Sequence, residues 1–363
     1  MNRLRLGLAV SAAAGLLSAG AASASYFGML GNFDVVNDTG STAHGFEIEL
    51  EGLRLHQITD TFGGPGRGFP TGTGFDPATS VVRYGSPTLS EYTDPGSGTF
   101  GTRVRYLSAF DGTNWAFGTP SGSFITPGDN CWSGGGVGYG PGTPCDHFGV
   151  GTSANPTKTT YNWLIETNQP GVLTNGTVTL PAPAWNVVQQ APVGNQAPPP
   201  IVVAQIRAPA AEFEAQFGEA IWVKVYTTEY EDPIRLEELV GDNPKIRQAE
   251  TEIEWQLLQK DPGNPNSGQL ESGLGVPVGP NAASIVRRYE FFKYAGPYDP
   301  ENHEAQPFGN DSNPDPLDIG IYLGAQNGAV NLAAVPEPAT YALLLAGLSI
   351  VAVGARRHRN SGA

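Results

Sequence analysis

The chain has 363 residues, 39% of them hydrophobic and 10% aromatic, and a formal net charge of −15. It has enough large side chains to build a core, and so acidic a surface excludes nucleic acid and other polyanions as partners held by charge. Its 48 glycines and 31 prolines far exceed the usual combined share of about 12% and, with the aromatics, point to short strands joined by long turns.

The first 24 residues read as a cleaved signal peptide. Arg3 and Arg5 form a basic start, residues 6–17 an apolar run, and Ala22-Ser23-Ala24 a small-residue cleavage site, which makes Ser25 the first mature residue. A buried N-terminal helix would need a polar face, and residues 6–17 offer only Ser11.

From residue 25 to 180, alternation with period two dominates. In residues 45–51, GFEIELE, Phe46, Ile48 and Leu50 point one way, and Glu47, Glu49 and Glu51 the other. This pattern predicts a half-buried strand with a solvated acidic face. Strands are also expected at 33–36, 55–62, 80–84, 102–107, 159–165 and 177–180, with Gly-, Pro- and Asp-rich turns at 63–73 and 111–122. Cys131 and Cys145 are the only cysteines and close a glycine-rich loop, which in an exported chain predicts a structural disulfide. Metal binding would need more ligands nearby than His147, and a redox pair would need closer spacing.

Residues 181–200 are proline-rich and uncharged, as expected of an extended spacer. The predicted fold class is therefore all-β: a β-sandwich domain at 25–180, a linker at 181–200 and a second sandwich at 201–334, each Ig- or fibronectin-like. A long proline-rich loop inside one large sandwich is the alternative. In the second half, strands are expected at 201–207, 220–227, 252–259 and 284–294, with short helical turns at 209–217 and 233–240.

Catalytic signatures are missing: there is no G-x-S-x-G, H-E-x-x-H, P-loop or C-x-x-C. Four histidines remain in the ectodomain (His44, His56, His147 and His303), and His44 reads as a turn residue. Glu47, Glu49 and Glu51 recur at about 7 Å along one strand face, near the spacing of a glycosidase pair. Three carboxylates in a row more commonly mean solvent, so no enzyme is predicted. The best metal candidate is Asp311, Asn313, Asp315 and Asp318, with oxygen ligands at relative positions 1, 3, 5 and 8 suited to calcium. It lacks the glycine and glutamate of an EF-hand, and an acidic turn before the last strand is the plainer reading; no other cofactor is implied. Trp115 and Trp132, in glycine-rich loops, are the candidates for stacking on a glycan. Trp222 and Trp255 lie in alternating strands and are expected in the core, and Trp185 falls in the spacer.

Residues 335–363 have three parts: Pro336-Glu337-Pro338, an uncharged apolar run at 339–355, and Arg356, Arg357 and Arg359. As a helix the 17-residue run spans about 26 Å, near the short limit for a membrane, and the arginines act as a stop-transfer signal. This order of parts resembles the PEP-CTERM sorting signal of Gram-negative bacteria. The resemblance implies that an exosortase partner cleaves near the tripeptide after the tail has been held transiently in the inner membrane. The ectodomain then reaches the cell surface or medium, where such proteins associate with exopolysaccharide and biofilm. It implies a non-enzymatic matrix protein; a carbohydrate-binding protein, with or without calcium, and a secreted hydrolase are the rivals.

Overall fold

The computed structural model describes residues 28–62, 84, 86–122, 148–178, 180–188, 190, 198–208, 216–239, 251–264, 267–272, 278–279, 281–310 and 313–332. They lie in one compact unit, 26–333. The fold is all-β and every sheet is antiparallel. A seven-stranded sheet has the order β12 (Thr251–Leu258), β11 (Ile221–Tyr230), β14 (Ser284–Tyr294), β15 (Ile319–Asn331), β1 (Met29–Val35), β6 (Phe148–Thr152) and β3 (Ile58–Thr61). A five-stranded sheet has the order β4 (Thr88–Thr93), β5 (Phe100–Leu107), β2 (Ala43–Glu51), β7 (Lys158–Glu166) and β8 (Leu173–Thr177). The third sheet is β13 (Gln269–Ser272), β10 (Ile201–Arg207) and β9 (Ala184–Val188).

Both smaller sheets cover the same face of the large one. Phe46 and Tyr106 of the five-stranded sheet meet Phe148 of β6, with ring centroids 4.4 and 4.9 Å apart, and Tyr161 meets Phe33 of β1 at 4.4 Å. Val202, Ala204, Ile206 and Trp185 of the three-stranded sheet join the same core cluster as Ile285, Tyr289 and Phe291 of β14. Alternation explains the pattern: Phe46, Ile48 and Leu50 of β2 are fully buried, as expected for one face of a pleated strand.

The strands are not divided into two sandwiches at 181–200. β1 from the first half pairs with β15 from the second along seven residues, Met29 opposite Val330 through Val35 opposite Gly324. The spacer itself supplies β9, which pairs with β10, and Trp185 within it is buried. Its prolines flank this strand, so they stiffen its approach without breaking a ladder. The pairing corrects the two-domain expectation in favour of one large layered unit. Burial of Trp222 agrees with its expected place in the core, and Trp255 packs partly buried beside it. The predicted helical turn at 233–240 contains a short 3-10 turn, Leu236–Leu239. The signal peptide, the turn at 209–217, the Cys131–Cys145 loop and the tail lie outside the described residues or largely so.

Candidate ligand-binding face and sorting tail

The outer face of the five-stranded sheet carries paired charges. Along β2 and β5, Glu47 stands opposite Arg105 and Glu49 opposite Arg103. Arg105 donates from Nε to Glu47 Oε2 at 2.9 Å and makes a second, shorter contact from Nη2 to the same oxygen. Asn162 of β7 donates to Glu47 Oε1 at 3.4 Å, and Arg103 lies 3.6 Å from Glu49. Glu47 is 1% exposed, so the expected solvated acidic face is corrected at this residue: guanidinium groups of the neighbouring strand cover it, while Glu49 and Glu51 stay half-buried. Cross-strand opposite charges stabilise such a ladder, which alternation within one strand does not reveal.

At one end this face opens into a groove of about 490 Å³ lined by Glu49, Glu51, Tyr92, Asp94, Ser97 and Arg103. Gly101 lets Tyr92 lie across β5, since a Cβ there would stand 2.7 Å from the phenol oxygen. The Arg103 guanidinium sits 4.2 Å from the Tyr92 ring centroid. Burial, followed by a hydrogen bond to Glu49, pushes the Tyr92 hydroxyl well above its ordinary range. The hydroxyl is therefore held as a neutral donor. The groove offers carboxylate acceptors, a guanidinium and a phenol, which are suited to binding hydroxyl-rich ligands.

Trp115 is half-buried and already engaged. Its indole donates to Glu166 Oε1 at 2.9 Å, its ring stacks on His44 at 4.9 Å and it tilts against Phe110 at 4.9 Å. His44 in turn contacts the Phe117 carbonyl through Nδ1 at 2.9 Å, consistent with a satisfied turn histidine. Glu166 is held below the ordinary carboxylate range, first by the Gly171 N–H and then by Trp115. Trp132 lies outside the described residues.

The calcium candidate is only partly described, since Asp311 lies outside the described residues. Asn310 and Asn313 close a tight turn through paired backbone hydrogen bonds, and Asp315 Oδ1 accepts the Leu317 N–H at 2.9 Å. Asp318 is fully buried, and its Oδ2 accepts the Gly309 N–H at 3.0 Å. Its Oδ1 faces inward beside Gly296, near the Tyr294 hydroxyl. Asp315 and Asp318 thus both brace the turn, and among the described residues no group of three or more His, Cys, Asp or Glu side chains forms a metal cluster. No nucleophile–base pair was predicted from the sequence. The groove was missed there because Tyr92 and Arg103 meet Glu49 only across strands.

The molecule is thus defined as an all-β protein with a charge-paired sheet face. Its C-terminal residues 334–359 match the PEP-CTERM protein-sorting motif. This motif indicates an exosortase-sorted extracellular protein, and implies export and membrane-associated sorting to the cell surface. The matched segment contains Pro336, Glu337, Pro338, Arg356, Arg357 and Arg359, all of them outside the described residues. No curated protein and no solved structure matches the chain.

Proposed function

We infer that this is a non-enzymatic surface or extracellular-matrix protein of a Gram-negative cell, associated with exopolysaccharide. The sorting motif at 334–359 carries this reading. The signal peptide at 1–24 starts export, the 339–355 run enters the inner membrane, and Arg356, Arg357 and Arg359 stop transfer. Exosortase cleavage near Pro336-Glu337-Pro338 then releases the ectodomain, with Cys131 and Cys145 joined in the oxidising compartment. Intact mass of the protein from the native envelope and medium tests this. The expected species runs from about Ser25 to about Pro336, with or without added glycan. A species ending at Ala363 and confined to the inner membrane would make the tail a permanent anchor.

The groove beside Tyr92 favours a second reading, in which the ectodomain binds the polysaccharide itself. The polar side chains there match sugar hydroxyls; Trp115, the other candidate for stacking on a glycan, lies against His44 and Glu166 at the opposite end of the same sheet. Pull-down of the full-length protein on host exopolysaccharide is expected to weaken in Tyr92→Ala and Arg103→Ala. Equal retention of both variants and wild type would remove the groove from this role. Calcium at Asp311, Asn313, Asp315 and Asp318 would raise the melting temperature in millimolar calcium and lose that rise in Asp315→Ala.

A further inference from the structure

The most unusual buried group is Arg287 in the middle of β14. Residues Ile285, Arg287, Tyr289 and Phe291 alternate onto the core face, so Arg287 projects between the seven-stranded and three-stranded sheets. It is 2% exposed. Nη2 donates to the Val202 carbonyl of β10 at 3.2 Å, and the guanidinium carbon lies 5.6 Å from the Trp185 ring centroid. Its Nε and Nη1 have no partner among the described residues, and neither does Trp185 Nε1. Among the described residues no carboxylate pairs with it. The adjacent Arg288 points to the opposite face and is neutralised by Glu290 at 2.9 Å.

The backbone opposite Arg287 makes room for the Trp185 ring. Gly328 stands directly opposite Arg287 on β15, and a Cβ there would lie 2.7 Å from the Trp185 ring. The ring can therefore lie over the Gly328 position beside the guanidinium. The nearby acceptor Gln326 Oε1 already receives the Tyr161 hydroxyl at 3.1 Å, and Gln326 Nε2 donates to the Pro181 carbonyl. The unpartnered atoms of Arg287 and Trp185 are N–H donors around a single positive charge. A water molecule could accept from them but would leave the charge uncompensated in the core. A small anion satisfies both requirements, and buried charges persist when they are paired.

We propose that Arg287 and Trp185 form an internal site for a small monovalent anion, with chloride the fitting probe, which locks the three-stranded sheet onto the seven-stranded one. The site is independent of the sorting tail and of the groove. The test compares thermal unfolding of the full-length protein in detergent across chloride concentrations, with sodium gluconate holding ionic strength constant. The expected result is a melting temperature that rises by several degrees and saturates, as binding to the native state alone requires. Arg287→Met is expected to abolish that dependence. Wild-type crystals soaked in bromide supply a readout that does not need the variant to fold: an anomalous peak is expected within hydrogen-bond reach of Arg287 Nε or Nη1. A chloride-independent melting temperature, a dependence unchanged in Arg287→Met, or bromide only at surface positions would overturn the proposal and leave internal water as the partner of these donors.

Discussion

Glu47 and Arg105 form an asymmetric pair: the carboxylate is 1% exposed, while the guanidinium side chain is 42% exposed. Removing either partner therefore has different consequences. Arg105→Ala strips most of the cover from Glu47 and leaves its carboxylate only Asn162 and the more distant Arg103, and is expected to cost about 2 kcal/mol. Glu47→Ala leaves a guanidinium that water can reach, and is expected to cost about 1 kcal/mol. Urea denaturation of the two variants measures the difference, and equal losses would contradict the burial argument. A second residue-scale effect is pH. The carboxyls of Glu91, Asp94, Asp111 and Glu166 are all held below their ordinary range, chiefly by backbone N–H groups of Leu55, Ser97, Asn114 and Gly171 respectively. Because the folded state favours their ionised forms, their contribution is fully present above the unfolded carboxylate range of about 4. It is lost as pH falls through the lowered values. Melting temperature measured from pH 7 downwards is expected to fall in that acid window, less steeply in Glu166→Gln; a flat profile would count against these contacts. Alternation in β2 revealed where Glu47 lies, but its partner comes from β5, which no local pattern in β2 names.

Among the elements, β6 shows most clearly why some strands escape the eye. Its sequence, FGVGT, is buried throughout and includes two glycines, so it shows neither alternation nor a polar face. The reason lies in its neighbours. A Cβ at Gly149 would run into the Phe62 ring and the Gly31 carbonyl, so the strand can sit there only without a side chain. Tyr106 fastens the same spot, its one hydroxyl proton shared between the Gly149 and Phe62 carbonyls, each 3.1 Å away. Gly149→Ala is expected to destabilise by about 2 kcal/mol through this overpacking, read as a lower denaturation midpoint; an unchanged midpoint would show that Phe62 moves aside at little cost. By contrast, β10 and β14 were legible to the residue, because long runs of Val, Ile and aromatic side chains stand between clear turn signals. β4 and β13 were not: one is a largely exposed edge strand and the other has four residues. β9 was hidden by the prolines around it.

At the scale of the whole ectodomain, the joining of β1 to β15 makes the two halves of the chain mutually dependent. Calorimetry is expected to show one cooperative unfolding transition, and fragments 25–180 and 201–334 are expected to lack fixed tertiary structure when expressed separately. Two independent transitions would restore the two-domain division. The destination of the protein was legible without any fold. A tripeptide, an apolar run of fixed length and three arginines act as a linear signal, and each property depends only on residues adjacent in the chain. The all-β class was legible for a similar reason, since strand alternation is local. Which strands share a sheet was decided only by tertiary structure, and so were the covering of Glu47 by Arg105 and the enclosure of Arg287 beneath Trp185. Those features depend on segments far apart in sequence meeting across a common core, where burial and pairing energies are determined by neighbours that no single stretch of chain contains.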